Sequence, residues 1–275
     1  MKTRKLLGWC LLLGALGLFR TTAWCDGPGA GTASCIVGET LQYSIHIAGF
    51  RVGTQTVTIV SAEQVNGREV YRIRGITETR GISKLFHDYR ELCTVLVDTA
   101  TLYPVLIERS VEEKGRACAY TYSIDQERCT MVVRDWLNGE TKVVHPGNVV
   151  FDQLSLCYFY RSNPRLFEGC FSFDLIKKND VVTIFMKEEG LVNMRMPKLS
   201  SGDATPALKY VEEGGEGLEV YIGVDGFSVP LKILFRTALE EKRKKFVVEL
   251  YLRDYDARAA RGVPEWYREL VKQES

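Results

Sequence analysis

Leu41-Gln42-Tyr43-Ser44-Ile45-His46-Ile47, with the stretch over 54–60 just beyond it, carries the pattern on which the fold turns. Leu41, Tyr43, Ile45 and Ile47 alternate with Gln42, Ser44 and His46. A period of two puts successive side chains on opposite faces, so this is a half-buried strand. Gly49 and Gly53 flank the turn that follows, and 54–60 returns as a second strand. Asn66-Gly67 then forms a hairpin turn, because both residues tolerate positive φ. It leads to a third strand over 70–79. A tight two-residue turn there sets Ile73 opposite Val60, although Val57 and Ile59 look like the apolar face. One residue of slip exchanges the faces. Either a bulge intervenes or both faces are covered.

The same arrangement continues outward. Strands are expected over 90–97, 104–112, 116–124 and 127–135, and Asn138-Gly139 turns the chain into 141–144. Pro146-Gly147 ends this run. A short helix follows over 151–160, capped by Asp152 or Asn148. Phe151, Leu154, Leu156, Cys157, Tyr158, Phe159 and Tyr160 make it apolar almost all round, so it should be buried. Arg161-Ser162-Asn163-Pro164 stops it. Strands resume over 170–176, 181–186, 191–196, 218–224, 229–239 and 246–252, with loops at 200–206 and 212–217. Pro264 opens a terminal helix reaching 272, with Trp266, Leu270 and Val271 on its apolar side. About 12 to 14 strands joined mostly by hairpins form a large antiparallel sheet, which curls or closes as strands accumulate. The expected class is mainly β: a large curled antiparallel sheet, or an open or partly closed β-barrel, with one short central helix and a C-terminal helix.

The opening of the chain reports a destination. Lys2, Arg4 and Lys5 precede an apolar run from Leu6 to Phe19, and Thr21 and Ala23 supply small residues near its exit. This is the layout of a secretory signal peptide, cut after Ala23. The run is about 14 residues, whereas a spanning helix needs roughly 20. A retained anchor is the alternative. Trp24 before Cys25 is a poor context for lipid attachment. The reading is therefore a signal peptide over 1–25, a flexible lead-in over 26–35, a β domain over 36–255 and a helix and tail over 256–275. The protein is expected to be exported, to the periplasm or the envelope, with no transmembrane anchor once the leader is cut. Of 36 basic residues four leave with the leader, so 32 face 35 acidic ones, a balance of about −3. No basic excess invites nucleic acid.

The resemblance to a known family rests on three short stretches. The first is Gly38-Glu39-Thr40-Leu41-Gln42-Tyr43 with Gly49 and Gly53 after it. The second is Phe151-Asp152-Gln153-Leu154-Ser155, leading into a helix that ends at Arg161, with Gln153 where Pro is usual. The third is Leu218-Glu219-Val220-Tyr221-Ile222 through Asp225, then Val229-Pro230-Leu231-Lys232-Ile233, with Tyr221 where Trp is usual. Together they resemble the bacterial exported family DUF3108, a domain of unknown function. The resemblance spans about Ile36 to Tyr251. It implies no activity and carries no catalytic residues.

Residue patterns that carry chemistry are few. His46, His87 and His145 are widely spaced and suggest no metal site. Asp152 and Ser155 lack the elbow of a nucleophilic serine and suit a helix start instead. Cys93 after His87 is a weak reactive-cysteine pattern. Gly214-Gly215-Glu216-Gly217 lacks the Lys-Ser/Thr of a phosphate loop. Lys242-Arg243-Lys244-Lys245 reads as a solvated hairpin tip, or else as a contact for anionic headgroups. No CxxC occurs, and Cys157–Cys170 is the candidate disulfide. The aromatic residues are more suggestive, since tyrosine pairs an apolar ring with a polar tip. Tyr43, Tyr71, Tyr120, Tyr122, Phe151 and Tyr158 are the candidate ligand-lining residues. The leading expectation is a non-enzymatic binding or envelope-assembly protein with a lipid-like ligand on the concave sheet. It needs no cofactor or metal, and its partners are an apolar ligand or envelope proteins. An enzyme acting on an envelope polymer and a protein-interaction scaffold are the alternatives.

Overall fold

A computed structural model describes residues 35–162, 170–196, 204–214, 217–224, 228–238 and 245–256. The leader, the terminal helix over 264–272 and most of the basic tip at 242–245 lie outside them. The first half of the sheet is β1 (Thr40–Ile47), β2 (Phe50–Val65), β3 (Arg68–Thr79), β4 (Tyr89–Asp98), β5 (Pro104–Glu113), β6 (Arg116–Asp125), β7 (Thr130–Asp135) and β8 (Thr141–Val144). A one-turn helix, α1 (Ser83–Phe86), joins β3 to β4. The second half is β9 (Val150–Phe151), the helix α2 (Gln153–Ser162), β10 (Cys170–Lys177), β11 (Asp180–Arg195), β12 (Ala204–Glu212), β13 (Glu219–Gly223), β14 (Pro230–Ala238) and β15 (Lys245–Asp256).

The fifteen strands of the described residues form one sheet. The first eight and β10 to β15 are antiparallel meanders, and β15 pairs with β1 to join them. The sheet's edges are β8 and β9, and β9 lies parallel to β10. The ladder is not closed there, but side chains stitch it. The Gln126 amide donates to the Val150 carbonyl at 2.9 Å and accepts from the Val150 N–H at 3.0 Å. The Tyr122 hydroxyl donates to the Lys178 carbonyl at 2.6 Å, and Lys142 meets Asp180 at 2.6 Å. The expected mainly β class, a large curled antiparallel sheet or an open or partly closed barrel with one short central helix, is therefore observed as a curled sheet whose ladder stays open.

Register explains where the simple strand reading bent. The conflict at Asn66-Gly67 is resolved by a bulge between Ile59 and Ser61, which sets Ile73 opposite Ile59 and keeps both apolar faces inward. The expected break between 186 and 191 is a second bulge inside one strand: Glu188 faces Tyr210 and Gly190 faces Lys209, with Gly190 at φ +100°. The loop expected at 200–206 gives way to β12 from Ala204, where Pro206 pairs with Asn193 near the strand's start. The strand expected from 127 begins at Thr130.

Helix α2 is the interior plug. Asp152 caps it: its carboxylate accepts the Leu154 N–H at 3.1 Å and the Ser155 N–H at 2.9 Å. Asn148 is engaged elsewhere, its N–H donating to the buried Asp174 at 3.1 Å. Leu154 lies over Gly75 of β3, where a Cβ would stand 2.6 Å from the leucine's Cδ1, so the bare backbone makes room for the helix. Phe159 packs at a tilt against Phe151 and Tyr103, with ring centroids 4.8 Å and 5.6 Å away. At the far end Arg161 donates to Glu39, just before β1, and to the Tyr255 hydroxyl on β15 at 3.1 Å. Glu39 is 0% and Arg161 2% exposed. Burial alone would pull the Arg161 pKa down; the charge of Glu39 more than offsets this and pushes it up. A buried pair of this kind fixes position more than it adds net stability.

Candidate functional site

Helix α2 divides the interior into two chambers. Gln55, Gln153, Leu154 and Ile176 border both, so the first turn of the helix is the partition.

The smaller chamber has about 50 Å³ and lies against β3 to β6. Its charged groups pair with one another. Arg109 meets Glu91 at 2.7 Å, and the Tyr89 hydroxyl donates to the same carboxylate. Burial would lower the Arg109 pKa, but Glu91 outweighs it and the net direction is up. Tyr122 is pushed up to about 12 by burial, against the pull of Arg109. Burial also raises Asp152, although Ser155 and backbone N–H groups resist. The Cys93 thiol reaches Asp152 at 4.0 Å, and burial, then the Asp152 charge, hold it well above the usual thiol range. A thiol so held is a poor nucleophile. The chamber admits water-sized molecules, and its geometry serves the helix start.

The larger chamber has about 690 Å³ and lies between α2 and the strands β1, β2 and β10 to β15. That is within the size range of small-molecule sites. Its walls come from strand alternation. Leu41 faces Val57 across β1 and β2, Val220 faces Ile233 across β13 and β14, and Ile233 faces Leu250 across β14 and β15. Ile184 of β11 and Leu156 of α2 add to this apolar lining. Tyr43 is anchored by its hydroxyl, which donates to the Pro230 carbonyl at 3.0 Å. Tyr158 borders the chamber too, and its buried hydroxyl has no hydrogen-bond partner. Burial, then Glu39, raise its pKa, so it is a neutral donor.

The chamber has a polar mouth at one end of the sheet. Arg236 pairs with Val247, beside Phe235 and Val248; Val248 pairs with Ile47 at the β1–β2 turn. Glu212, Gly214 and Leu218 at the β12–β13 turn, and Lys177 at the β10–β11 turn, border the same opening. Lys177, Gly214 and Arg236 are exposed. The opposite end is covered by α2 with its Arg161–Glu39 pair.

Of the ligand-lining residues read from sequence, Tyr43 and Tyr158 border the large chamber and Tyr122 the small one. Tyr71, Tyr120 and Phe151 border neither. Tyr71 packs against the core, Tyr120 lies 6.1 Å from Tyr122, and Phe151 is in the aromatic cluster around Phe159. The expected Cys157–Cys170 disulfide is corrected: both are free thiols. Cys157 faces the chamber from α2. Phe171 and Phe173 turn inward to Tyr160 and Phe151, so alternation sends Cys170 to the outer face. His46 contacts Ser44 and His87 contacts Glu113. Among the described residues no group of three or more His, Cys, Asp or Glu could hold a metal ion. The aliphatic lining is not among the residues expected from sequence; the alternation of Val220 with Ile222, and of Val248 with Leu250 and Leu252, is its signal there.

Comparison with known proteins bears on the fold. The family described as "Protein of unknown function (DUF3108)" matches residues 42–239. A search of curated proteins finds no match. Among solved structures, a β-barrel-like protein of the domain of unknown function DUF1849 from Brucella abortus is similar, with a TM-score of 0.50 at 9% identity, covering 80% of this chain and 98% of that one. A DUF1089 family protein from Pseudomonas aeruginosa aligns with a TM-score of 0.38 at 11% identity over 77% of this chain and 95% of that one. The first likeness concerns architecture alone, and the second is too distant to argue from.

Proposed function

This chain belongs to the DUF3108 family, and because that family brings no activity with it, we propose from the interior that the protein is a non-enzymatic binder of an apolar, lipid-like molecule, working in the bacterial envelope after export. The observation that carries this reading is the chamber of about 690 Å³, walled by Leu41, Val57, Ile184, Val220 and Leu250 and open at one end. An apolar wall of that extent lowers the free energy of a guest by roughly 25 cal/mol for each Å² of apolar surface taken from water. Inner positions along the strands are aliphatic, so the site favours length and flexibility in its guest over polar detail. The Tyr158 hydroxyl supports one hydrogen-bonding atom on the guest, since a buried donor without a partner is costly. Lys177 and Arg236 at the mouth suit a guest with an anionic or strongly polar head.

The leader-like start and the net charge support export and argue against nucleic-acid partners. The test is native mass spectrometry of protein purified from membranes under gentle conditions. A co-purifying mass of a few hundred daltons, released by organic solvent and bound one per chain, is the expected result. A clean unliganded mass from cells, unchanged after incubation with extracted envelope lipids, overturns the proposal.

A further inference from the structure

The rim around the chamber's mouth carries an unusual set of side chains. Phe50, Ile82, Leu85 and Phe86 are 76%, 75%, 84% and 80% exposed. Two neighbouring connections hold them. Phe50 follows the turn Ala48-Gly49, whose residues have φ of +50° and +81°, and faces Ile47 at the last rung of its hairpin. Ile82, Leu85 and Phe86 lie on the β3–β4 connection, above the Gly53–Thr79 rung. The Arg80 N–H donates to the Val52 carbonyl at 2.9 Å, which ties this connection to the Phe50 hairpin. Ile47 pairs with Val248 on its other side, and Val248 with Phe235 of the chamber wall. The apolar tips and the mouth therefore share one rim of the barrel.

We propose that this rim docks on a lipid bilayer containing anionic headgroups, with Phe50, Ile82, Leu85 and Phe86 inserted among the acyl chains and the chamber mouth held at the lipid surface. Three observations select a bilayer over a protein partner. First, the apolar groups are separate side chains on turn tips, with Phe50 at the last rung of its hairpin and Ile82, Leu85 and Phe86 beyond the ladder, so they offer neither a free strand edge nor a continuous groove to a peptide. Second, cations flank them. Arg51 is exposed with no carboxylate partner among the described residues, and Arg80 and Lys84 lie on the adjoining connection. Burial first, then the like charges of Arg253 and Arg80, lower the Arg51 pKa. Arg80 pairs with Glu78, and Lys84 with Asp88 at 3.7 Å, both pairs exposed enough for headgroup phosphates to compete. Third, a guest for an apolar chamber is itself stored in bilayers, and the tips stand at the door through which it would pass. Only this last point rests on the proposed function. Docking itself needs no guest.

Flotation with vesicles reads the docking directly. Wild-type protein should float with vesicles of phosphatidylcholine and phosphatidylglycerol, less with phosphatidylcholine alone, and less still in high salt. Leu85→Glu/Phe86→Glu should lower the partition coefficient at least about tenfold, because each side chain forfeits the burial of a large apolar group. Its circular dichroism and melting temperature should match wild type, since both positions face solvent. Phe50→Glu is a second, independent variant, and Val143→Glu on the outer face of β8, 53% exposed, should float like wild type. The proposal is overturned if wild type stays with neither vesicle, or if both rim variants float as wild type does. A wild-type dimer that the rim variants convert to monomer, with no flotation by either, would assign the patch to a second copy of the chain. Flotation without any retained guest mass would leave docking standing and remove the binding reading.

Discussion

Cutting Arg161 to alanine should destabilise the protein by about 3–5 kcal/mol, the cost of breaking a buried pair by removing one member. The structure supplies the reason. Glu39 is 0% exposed and stands just before β1, and its Oε2 already lacks a hydrogen-bond partner. Without the guanidinium, the whole carboxylate is stranded in the apolar end of the barrel. The Tyr255 hydroxyl loses a 3.1 Å contact in addition, at a half-buried site where water replaces it. A domain of this size holds roughly 5–15 kcal/mol in total, so the loss is a large fraction. Urea unfolding followed by circular dichroism measures it as a fall in midpoint at unchanged slope. The companion variant Arg161→Met/Glu39→Leu should recover most of the loss, because replacing both charges by apolar groups is neutral to about 4 kcal/mol stabilising. A single-variant cost below about 1 kcal/mol, the scale of ordinary surface changes, would refute a charged pair latching α2 to the sheet.

Three further outcomes follow from the same interior. Leu154→Ala and Phe159→Ala should cost about 2–5 kcal/mol each in urea melts; losses below about 1 kcal/mol would mean that α2 is a mobile lid. The Asp152 pKa is raised by burial, so its contribution to stability is present at low pH and lost as pH rises through the folded value. Wild type should therefore lose stability relative to Asp152→Asn between melts at pH 3 and at pH 7; a difference independent of pH would contradict this. Burial pushes the Cys157 thiol up to about 12, and Asp152 adds to it, whereas Cys129 and Cys170 are exposed. Peptide mapping after brief labelling at pH 8 should find the two exposed cysteines modified and Cys157 protected, and equal labelling would argue against its placement inside the chamber.

Much of the barrel was readable residue by residue, for physical reasons. Period-two alternation from Leu41 to Ile47 and Asn-Gly turns are local signals, and both strands and turns stand where those signals lie. The apolar surround of 154–160 announced a buried helix, and Asp152 with Ser155 announced its start. Other features depend on distant partners. The bulge after Ile59 is needed only because Ile73 must face inward, and Gly190 carries a strand onward through what reads alone as a break. The chamber is less legible still. Its lining comes from strands far apart in sequence, and an aliphatic side chain looks the same whether it packs against a neighbour or borders space. Tyrosine is chemically distinctive without marking the chamber: Tyr43 and Tyr158 border it, and Tyr71 and Tyr120 do not. Gly75, which admits Leu154, gives no local sign of the helix that lies over it.

The claim that the large chamber takes an apolar guest is tested most directly by titrating the protein with a dansyl-labelled fatty acid, in parallel with Ile184→Trp, Val220→Trp and the double variant. Both side chains are buried and border the chamber. A larger ring there occupies guest space while gaining packing contacts, so the variants should keep the melting temperature of wild type or raise it. Wild type should bind one probe per chain saturably, each single variant more weakly, and the double variant at least about tenfold more weakly, given the apolar contact withdrawn from the guest. Equal binding by wild type and a folded double variant, or no saturable binding by wild type at all, would contradict the account.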